Sequence, residues 1–394
     1  MLGVVALSVS TFLIGKEQQR TEQARQLAQR NFEDAEAQRQ RAEESFRQAR
    51  QAVDDYFTKV SESKLLNVPG LQPLRKELLE AAQKYYQDFI NERGNDPALR
   101  GDLGKSWFRV GLITNDVGAK PDALAAYRKG RDMQEELLRM RPEDAQTQGD
   151  LAETCWNMGE LERWSGQFAD ALRSYERSRE LREQLVREHS DVPPYQNALA
   201  KSYAGLGELY EFTERNDDAV RAYEQARDLG ETVVHEHGDD AQFQRDLADT
   251  CRRLGELQLG MGQPAQSLSS LQRAIELLAK LVRLNPPYTE DQYFLGWSQF
   301  KIALSLRRLG NLPAAVESCS QARDILDKLV RGNPSVTEYR NGLATCYSAL
   351  GNLQRANGQP AESLRSSQLA CDEMEKVVRD HPTISVYQLN LVRD

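Results

Sequence analysis

A 48-residue repeat recurs along this chain without a change of register. It constrains the possible folds more than any other feature of the sequence. A period of this length is typical of solenoids, in which each unit buries its apolar face against its neighbours. Three columns carry the pattern, one of leucine and two of glycine, with Ala303 and Glu214 as the exceptions to glycine. The columns are Leu103, Leu151, Leu199, Leu247, Leu295 and Leu343; Gly111, Gly159, Gly207, Gly255 and Gly351; and Gly118, Gly166, Gly262, Gly310 and Gly358.

Each unit carries two helical patterns joined by a short turn, so we predict antiparallel helix pairs. The first helical pattern of each unit ends near a glycine of the second column. The second helical pattern ends on an aliphatic pair such as Leu185 and Val186. Prolines such as Pro286 and Pro334 then stop the second helix, because proline cannot continue the hydrogen-bond ladder. The sequence therefore predicts an all-α solenoid. Its six repeats are 97–144, 145–192, 193–240, 241–288, 289–336 and 337–384, and residues 385–394 are either the start of a seventh repeat or a cap.

The N-terminal part differs from the repeats. Residues 1–15 are apolar and uncharged, but they are too few to cross about 30 Å of hydrocarbon. We interpret them as a partial transmembrane or signal-anchor segment whose remainder lies upstream of Met1. The basic flank, which includes Lys16 and Arg20, favours a cytoplasmic position for the residues on its C-terminal side.

A long helix is predicted over residues 16–62, and a degenerate capping repeat over 63–96. The helix carries a heptad seam that is thin, because four of its core positions are alanine. A coiled-coil homodimer and a single helix leaning on the first repeat both fit this pattern. The cap is indicated by Phe89 and Ile90, which stand 48 residues before Leu137 and Leu138.

The repeat motif itself resembles the tetratricopeptide repeat. Trp107-x-x-Val110-Gly111 and Tyr203-x-x-Leu206-Gly207 are similar to the Trp-x-x-Leu-Gly opening of that family. The unit is longer, 48 residues against about 34. Seven residues are added before the first-helix motif and seven after the second, and seven residues are nearly two helical turns. The added turns therefore lengthen the helices without rotating their buried faces.

Residues 45–89 resemble the region that lies after the transmembrane helix in membrane-anchored Hanks-type serine/threonine kinases of planctomycete bacteria. That resemblance implies a kinase domain upstream of the membrane helix and repeats outside the cytoplasm, against the orientation that the basic flank favours. This chain carries none of the kinase signature motifs. The resemblance thus implies a kinase neighbour and no kinase chemistry here.

Composition and residue types exclude several functions. The chain has 51 Lys+Arg against 60 Asp+Glu, a net charge of −9, which disfavours nucleic-acid binding. No catalytic, metal or cofactor constellation can be placed, so we predict a chain that is not an enzyme. We interpret the carboxylates as solvated helix faces. Cys155 and Cys251 fall in core columns, which favours buried free thiols and leaves disulfides as the alternative.

A solenoid of helix pairs offers a concave groove lined by its first helices. Exposed aromatics beside arginines are typical of peptide-binding hot spots, whereas longer helices would bury more of these side chains in the core. Both interpretations stay open for each residue. The predicted groove residues are Phe108, Asn115, Trp156, Arg163, Trp164, Phe212, Arg252, Trp297, Phe300, Arg307, Asn352 and Arg355.

The sequence thus predicts a membrane-tethered module that binds a protein or peptide, with its repeats outside the cytoplasm, as the scaffold or sensor part of a signalling protein. The alternative is a fragment of a transmembrane serine/threonine kinase whose catalytic domain lies upstream of Met1.

Overall fold

The computed structural model describes residues 2–53, 72–94, 99–286 and 288–380, and within these ranges it contains helices and no strands. The chain divides into two compact units, one of residues 1–95 and 109–123 and the other of residues 96–108 and 124–394. The helices are α1 (Leu2–Val53), α2 (Gln72–Arg93), α3 (Arg100–Val117), α4 (Lys120–Met140), α5 (Ala145–Trp164), α6 (Phe168–Glu188), α7 (Pro193–Phe212), α8 (Asn216–Glu236), α9 (Ala241–Gly260), α10 (Pro264–Leu284), α11 (Thr289–Arg308), α12 (Leu312–Gly332), α13 (Thr337–Ala356) and α14 (Pro360–Asp380).

The first unit contains α1 and α2. Helix α1 is 52 residues long and includes the apolar N-terminal run. Its heptad residue Phe32 is exposed, and dimerisation through residues 16–62 stays a prediction. In α2 the side chains of Leu79, Tyr86 and Phe89 are buried. Residues 54–71, which include part of the predicted cap, lie outside the described ranges.

No helix in the described ranges combines the length and the apolar composition that crossing a membrane requires.

In the second unit, five helix pairs from α5 to α14 repeat at a constant interval. The first helices begin at residues 145, 193, 241, 289 and 337, which are steps of 48. Each first helix packs against the second helix of its own pair, and each second helix packs against the first helix of the next pair. The predicted fold, an all-α solenoid of antiparallel pairs with this period after a long N-terminal helix, is confirmed. The repeat boundaries stay a prediction, and residues 385–394 lie outside the described part.

The turn inside each pair from α5 to α14 explains four of the five glycines of the second column. Gly166, Gly262, Gly310 and Gly358 have φ between 74° and 81°, in the left-handed region that glycine enters without strain. After Gly166, the N–H of Gln167 donates to the carbonyl of Glu162 at 2.8 Å, which closes the helix end in the manner of a Schellman motif. Glu214 takes the same conformation, with φ of 58°, although it carries a side chain.

The first glycine column allows close contact within a pair. A Cβ on Gly159 would lie 2.8 Å from the ring of Tyr175, and one on Gly207 would lie 2.8 Å from the ring of Tyr223. Both tyrosines are fully buried. The leucine column is buried as well, except for Leu295, which is half-buried.

The cysteines are free thiols. Four are buried, and Cys371 is half-buried. Cys319 Sγ and Cys346 Sγ are 3.7 Å apart, well beyond the length of a disulfide bond of about 2.05 Å.

Candidate protein-binding face of the first helices

The first helices of successive pairs contact one another directly. Helix α7 touches α5 and α9, and α11 touches α9 and α13. These helices therefore present one continuous surface of the second unit, which we call the first-helix face. The side chains that line it decide what this part of the protein can bind.

A row of alternating charges crosses this face from α5 to α11. Every acidic member lies beside a basic one, and the row links neighbouring repeats three times. We call it the ion-pair ladder. Its contacts are Glu160–Arg163 (2.8 Å), Arg163–Glu208 (2.8 Å), Glu208–Arg253 (3.3 Å), Arg253–Asp249 (2.7 Å), Asp249–Arg252 (2.5 Å), Arg252–Glu256 (2.7 Å) and Glu256–Lys301 (3.6 Å).

Several members of the ladder are shielded from water. The side chain of Arg163 is only 2% exposed, and that of Glu208 is 15% exposed. Removing one partner of such a pair leaves a buried charge without compensation, which typically destabilises by about 3–5 kcal/mol. The ladder therefore ties α5, α7, α9 and α11 to one another in a definite register.

Burial also changes the protonation equilibria. It raises the pKa of Glu208 to about 7, although Arg253 and Arg163 act in the opposite direction. Burial on its own would lower the pKa of Arg163, but Glu160 and Glu208 outweigh it and the pKa is raised. The arginine thus keeps its charge, whereas Glu208 exchanges its proton near neutral pH.

Two aromatic side chains lie at one edge of the ladder. Trp164 ends α5 and is 70% exposed, and Phe212 ends α7 and is 54% exposed. Their ring centroids are 6.1 Å apart in an edge-to-face arrangement. The guanidinium of Arg163 lies 4.8 Å from the Trp164 ring and 5.2 Å from the Phe212 ring. The two rings form an exposed apolar patch whose position is held by the buried arginine, and we call it the aromatic pair.

A cavity of about 380 Å³ opens beside the ladder and is lined by residues of α5, α7, α8 and α9. Its lining includes Trp156, Trp164, Ala204 and Gly205. The indole Nε1 of Trp156 donates to the backbone carbonyl of Lys201 at 3.3 Å, which fixes the ring against α7. The volume lies within the range of ligand pockets, about 300–1,000 Å³.

The structure distributes the twelve predicted groove residues over different environments. That they line one groove stays a prediction. The burial of Phe300 favours its assignment to the core, and the burial of Arg163 and Arg252 favours their assignment to the ion-pair ladder. Trp164, Phe212, Arg307, Asn352 and Arg355 are exposed; Phe108, Asn115, Trp156 and Trp297 are half-buried; Arg163, Arg252 and Phe300 are buried.

The interpretation of the carboxylates as solvated helix faces is wrong for the ladder. Glu160, Glu208 and Glu256 are half-buried and ion-paired. They stand 48 residues apart, so a charged column at the repeat period is the signal by which sequence reasoning could have found them. Within the described ranges, no group of three or more His, Cys, Asp or Glu side chains is arranged to hold a metal ion.

Comparisons with known proteins agree with this architecture. Residues 150–232, which run from α5 into α8, match the model of a family described as tetratricopeptide repeat. Over these residues the chain is similar in sequence to tetratricopeptide repeats. The search of curated proteins returned no match.

Solved structures resemble the fold at low sequence identity. BtubC (BKLC) from P. vanneervenii is 16% identical over 68% of this chain and 93% of that chain, with a TM-score of 0.50. The apo form of RapI is 12% identical over 70% of this chain and 99% of that chain, with a TM-score of 0.45. A Podospora anserina protein described by its nearly identical TPR-like repeats is 20% identical over 58% of this chain and 96% of that chain, with a TM-score of 0.40. At 16% identity the likeness to BtubC concerns the fold alone.

Proposed function

We propose that this chain is a non-catalytic protein-interaction module, and that its first-helix face binds a peptide segment of a protein partner. The aromatic pair carries this proposal. Trp164 is mostly exposed and Phe212 is about half exposed, and both rings lie beside the buried Arg163. Tryptophan and arginine are enriched among the residues that dominate binding energy at protein interfaces.

The ion-pair ladder supports the same function. Because its charges are already paired within the protein, the surface beneath a bound segment is ordered before the segment arrives. Such preorganisation lowers the conformational entropy lost on binding. The cavity next to Trp156 adds a recess that an anchoring side chain can enter.

The experiment selects peptides from a random display library against the full chain, and measures Kd for the best synthetic peptides. We expect Trp164→Ala combined with Phe212→Ala to raise Kd at least about tenfold, since loss of a hot-spot residue removes about 2 kcal/mol or more.

A matched double variant controls for the loss of exposed apolar surface as such. Met140 and Leu284 end second helices, and they are 68% and 67% exposed. Met140→Ala combined with Leu284→Ala should leave Kd unchanged. An equal loss of affinity in both double variants, or a library that yields no binding peptide, would contradict the proposal.

The finer part of the proposal concerns location and context: a membrane-anchored module with its repeats outside the cytoplasm, which dimerises through residues 16–62 and forms part of a kinase. It is supported by the apolar run of residues 1–15, by the heptad seam and by the resemblance of residues 45–89 to membrane-anchored kinases.

Flotation with lipid vesicles tests the anchor, since the full chain should float and a chain without residues 1–15 should not. The coding sequence upstream of Met1 tests the kinase, and it should encode a catalytic domain with H-R-D and D-F-G motifs.

A further inference from the structure

We propose that Cys319 and Cys346 form a site of oxidative modification, at which a small-molecule disulfide such as oxidised glutathione converts the two thiols into a disulfide between neighbouring repeats. Cys319 lies on α12 and Cys346 on α13. The bond would join the second helix of one pair to the first helix of the next. This inference is independent of the proposed function, because it concerns the packing between repeats and not the first-helix face.

The two thiols are in direct contact where α12 packs against α13. Their Sγ atoms are 3.7 Å apart. The Sγ of Cys319 lies 3.5 Å from the backbone carbonyl oxygen of Cys346, and the Sγ of Cys346 lies 3.3 Å from that of Cys319. Each side chain thus contacts the backbone of the other residue. A disulfide requires such proximity, because it joins Cα atoms that are only about 4.4–6.8 Å apart.

The contact arises from exceptions to the repeat. At the positions that correspond to Cys346, the earlier first helices have serine or threonine, and at those that correspond to Cys319, the earlier second helices have tyrosine or leucine. A tyrosine here needs a glycine opposite it, as Tyr175 does at Gly159. Ala303 replaces that glycine in α11, so the space suits a small side chain and not a ring. Packing therefore explains a small residue on α12, but the repeat does not require a second thiol opposite it.

Burial decides when the bond can form. Cys319 is 0% exposed and Cys346 is 1% exposed, so glutathione cannot reach them in the folded chain. The reaction therefore takes place during folding, when α12 and α13 first meet and the sulfurs are still accessible. Disulfides form in oxidising compartments, which agrees with the proposed position of the repeats outside the cytoplasm.

The reaction is an exchange in two steps. The thiolate of one cysteine attacks a sulfur of oxidised glutathione, which gives a mixed disulfide and releases one glutathione thiolate. The second cysteine thiolate then attacks the protein sulfur of the mixed disulfide, which forms the bond between Cys319 and Cys346 and releases the second glutathione thiolate. The cysteines lose two electrons and two protons in total, and one glutathione disulfide becomes two glutathione thiols.

The bond should hold the two repeats together. It closes a loop between residues 27 apart in the sequence, and a cross-link stabilises a protein mainly by restricting its unfolded state. The oxidised chain should therefore melt at a higher temperature than the reduced chain.

The test refolds the full chain in a mixture of reduced and oxidised glutathione. Free thiols are then blocked with iodoacetamide, and the chain is digested with trypsin without reduction. Arginines lie between the two cysteines, so their peptides separate unless a disulfide joins them. We expect mass spectrometry to find these two peptides linked and the other cysteines blocked. Cys155 and Cys251 stand 96 residues apart, which is two repeats, and should stay free thiols in the same sample.

The melting temperature measures the second part of the proposal. The chain refolded with both forms of glutathione should melt at least about 3 °C above the chain refolded with the reduced form alone. Cys346→Ser supplies the residue that α7 and α11 have at this position, and should abolish both the linked peptide and the rise. Cys371→Ser is the matched control and should keep both. Circular dichroism shows that each variant is folded.

The outcomes decide the proposal whether or not the variants fold. Five blocked cysteines in the refolded wild type, or a disulfide between any other pair, would overturn it. A linked pair without a higher melting temperature, or an equal rise in Cys346→Ser, would overturn the stabilising role of the bond. The mapping of the wild type needs no variant, so it stays decisive if Cys346→Ser does not fold.

Discussion

Arg163 on α5 and Glu208 on α7 lie 2.8 Å apart across the boundary between two repeats. Both side chains are largely withdrawn from water, and each also contacts a second charge, Glu160 for the arginine and Arg253 for the glutamate. This contact therefore belongs to a network in which the loss of one member affects the next repeat. The consequence is a face whose charges fix the internal register of the solenoid.

Glu208 should make stability depend on pH near neutrality. Its pKa is raised from 4.5 to about 7 by burial, so between these values the folded chain holds a proton that the unfolded chain has lost. Since stability rises with pH only where the unfolded state binds more protons, it must fall here as the pH rises.

Urea unfolding of the wild type and of Glu208→Gln at about pH 5 and about pH 8 measures this effect. The free energy of unfolding of the wild type, relative to that of the variant, should fall by up to about 3 kcal/mol over this range. Parallel pH profiles of the two proteins would show that Glu208 does not titrate in this window.

Gly207→Ala should destabilise the fold. The new Cβ would lie 2.8 Å from ring carbons of Tyr223, which is fully buried and has no space into which to move. Such overpacking lowers the free energy of unfolding by about 1–3 kcal/mol. Gly260→Ala is the control, because nothing lies within 4 Å of its Cβ position at the exposed end of α9. This control should be neutral or stabilising by up to about 1 kcal/mol. Equal chemical denaturation midpoints for the two variants would refute the packing argument.

Glu214→Gly should stabilise the protein. Glu214 has φ of 58°, in a region that costs a residue with a side chain about 1–2 kcal/mol. Glycine removes this strain, and because the unfolded chain gains freedom at the same time, the net gain should be about 1 kcal/mol. The reverse change, Gly166→Ala, places a side chain at φ of 74° and should lower stability by a similar amount. Thermal unfolding of both variants and of the wild type tests this prediction. A melting temperature of Glu214→Gly below that of the wild type would contradict it.

The cysteines should differ in reactivity. Burial raises the pKa of Cys155 and of Cys251 to about 12, and a thiol reacts through its thiolate. Cys371 is half-buried and should react first with a disulfide reagent near neutral pH. The other four should react only after unfolding in guanidinium chloride. Peptide mapping of the labelled protein identifies the site, and rapid labelling of Cys155 or Cys251 in the folded chain would contradict the packing.

Much of the fold could be predicted from the sequence because its determinants are local and repeated. Leucine and glycine columns at a constant interval define where helices begin, turn and face inward. The exception at Glu214 belongs to this pattern too, since the backbone keeps the left-handed turn even where the column lacks glycine. Proximity along the chain therefore sufficed to predict helix pairs.

The candidate site was less accessible to such reasoning. Long charged side chains reach several neighbours, and which one they meet depends on how two repeats pack. Arg253 on α9 reaches back to Glu208, while the adjacent Arg252 pairs within its own helix. Burial likewise separates residues with similar sequence patterns, since Phe300 is buried and Phe212 is exposed.

The sequence by itself determined the unit of this protein: a helix pair of constant length, small residues where two backbones approach, and a turn that requires a left-handed residue. Only the tertiary structure decided which charges became an internal ladder, which rings stayed in solvent, and that a cavity opens beside Trp156. The physical reason is the range of the interactions. Backbone hydrogen bonds and apolar periodicity act within one repeat, whereas ion pairs and cavities are defined only when separate repeats are packed together.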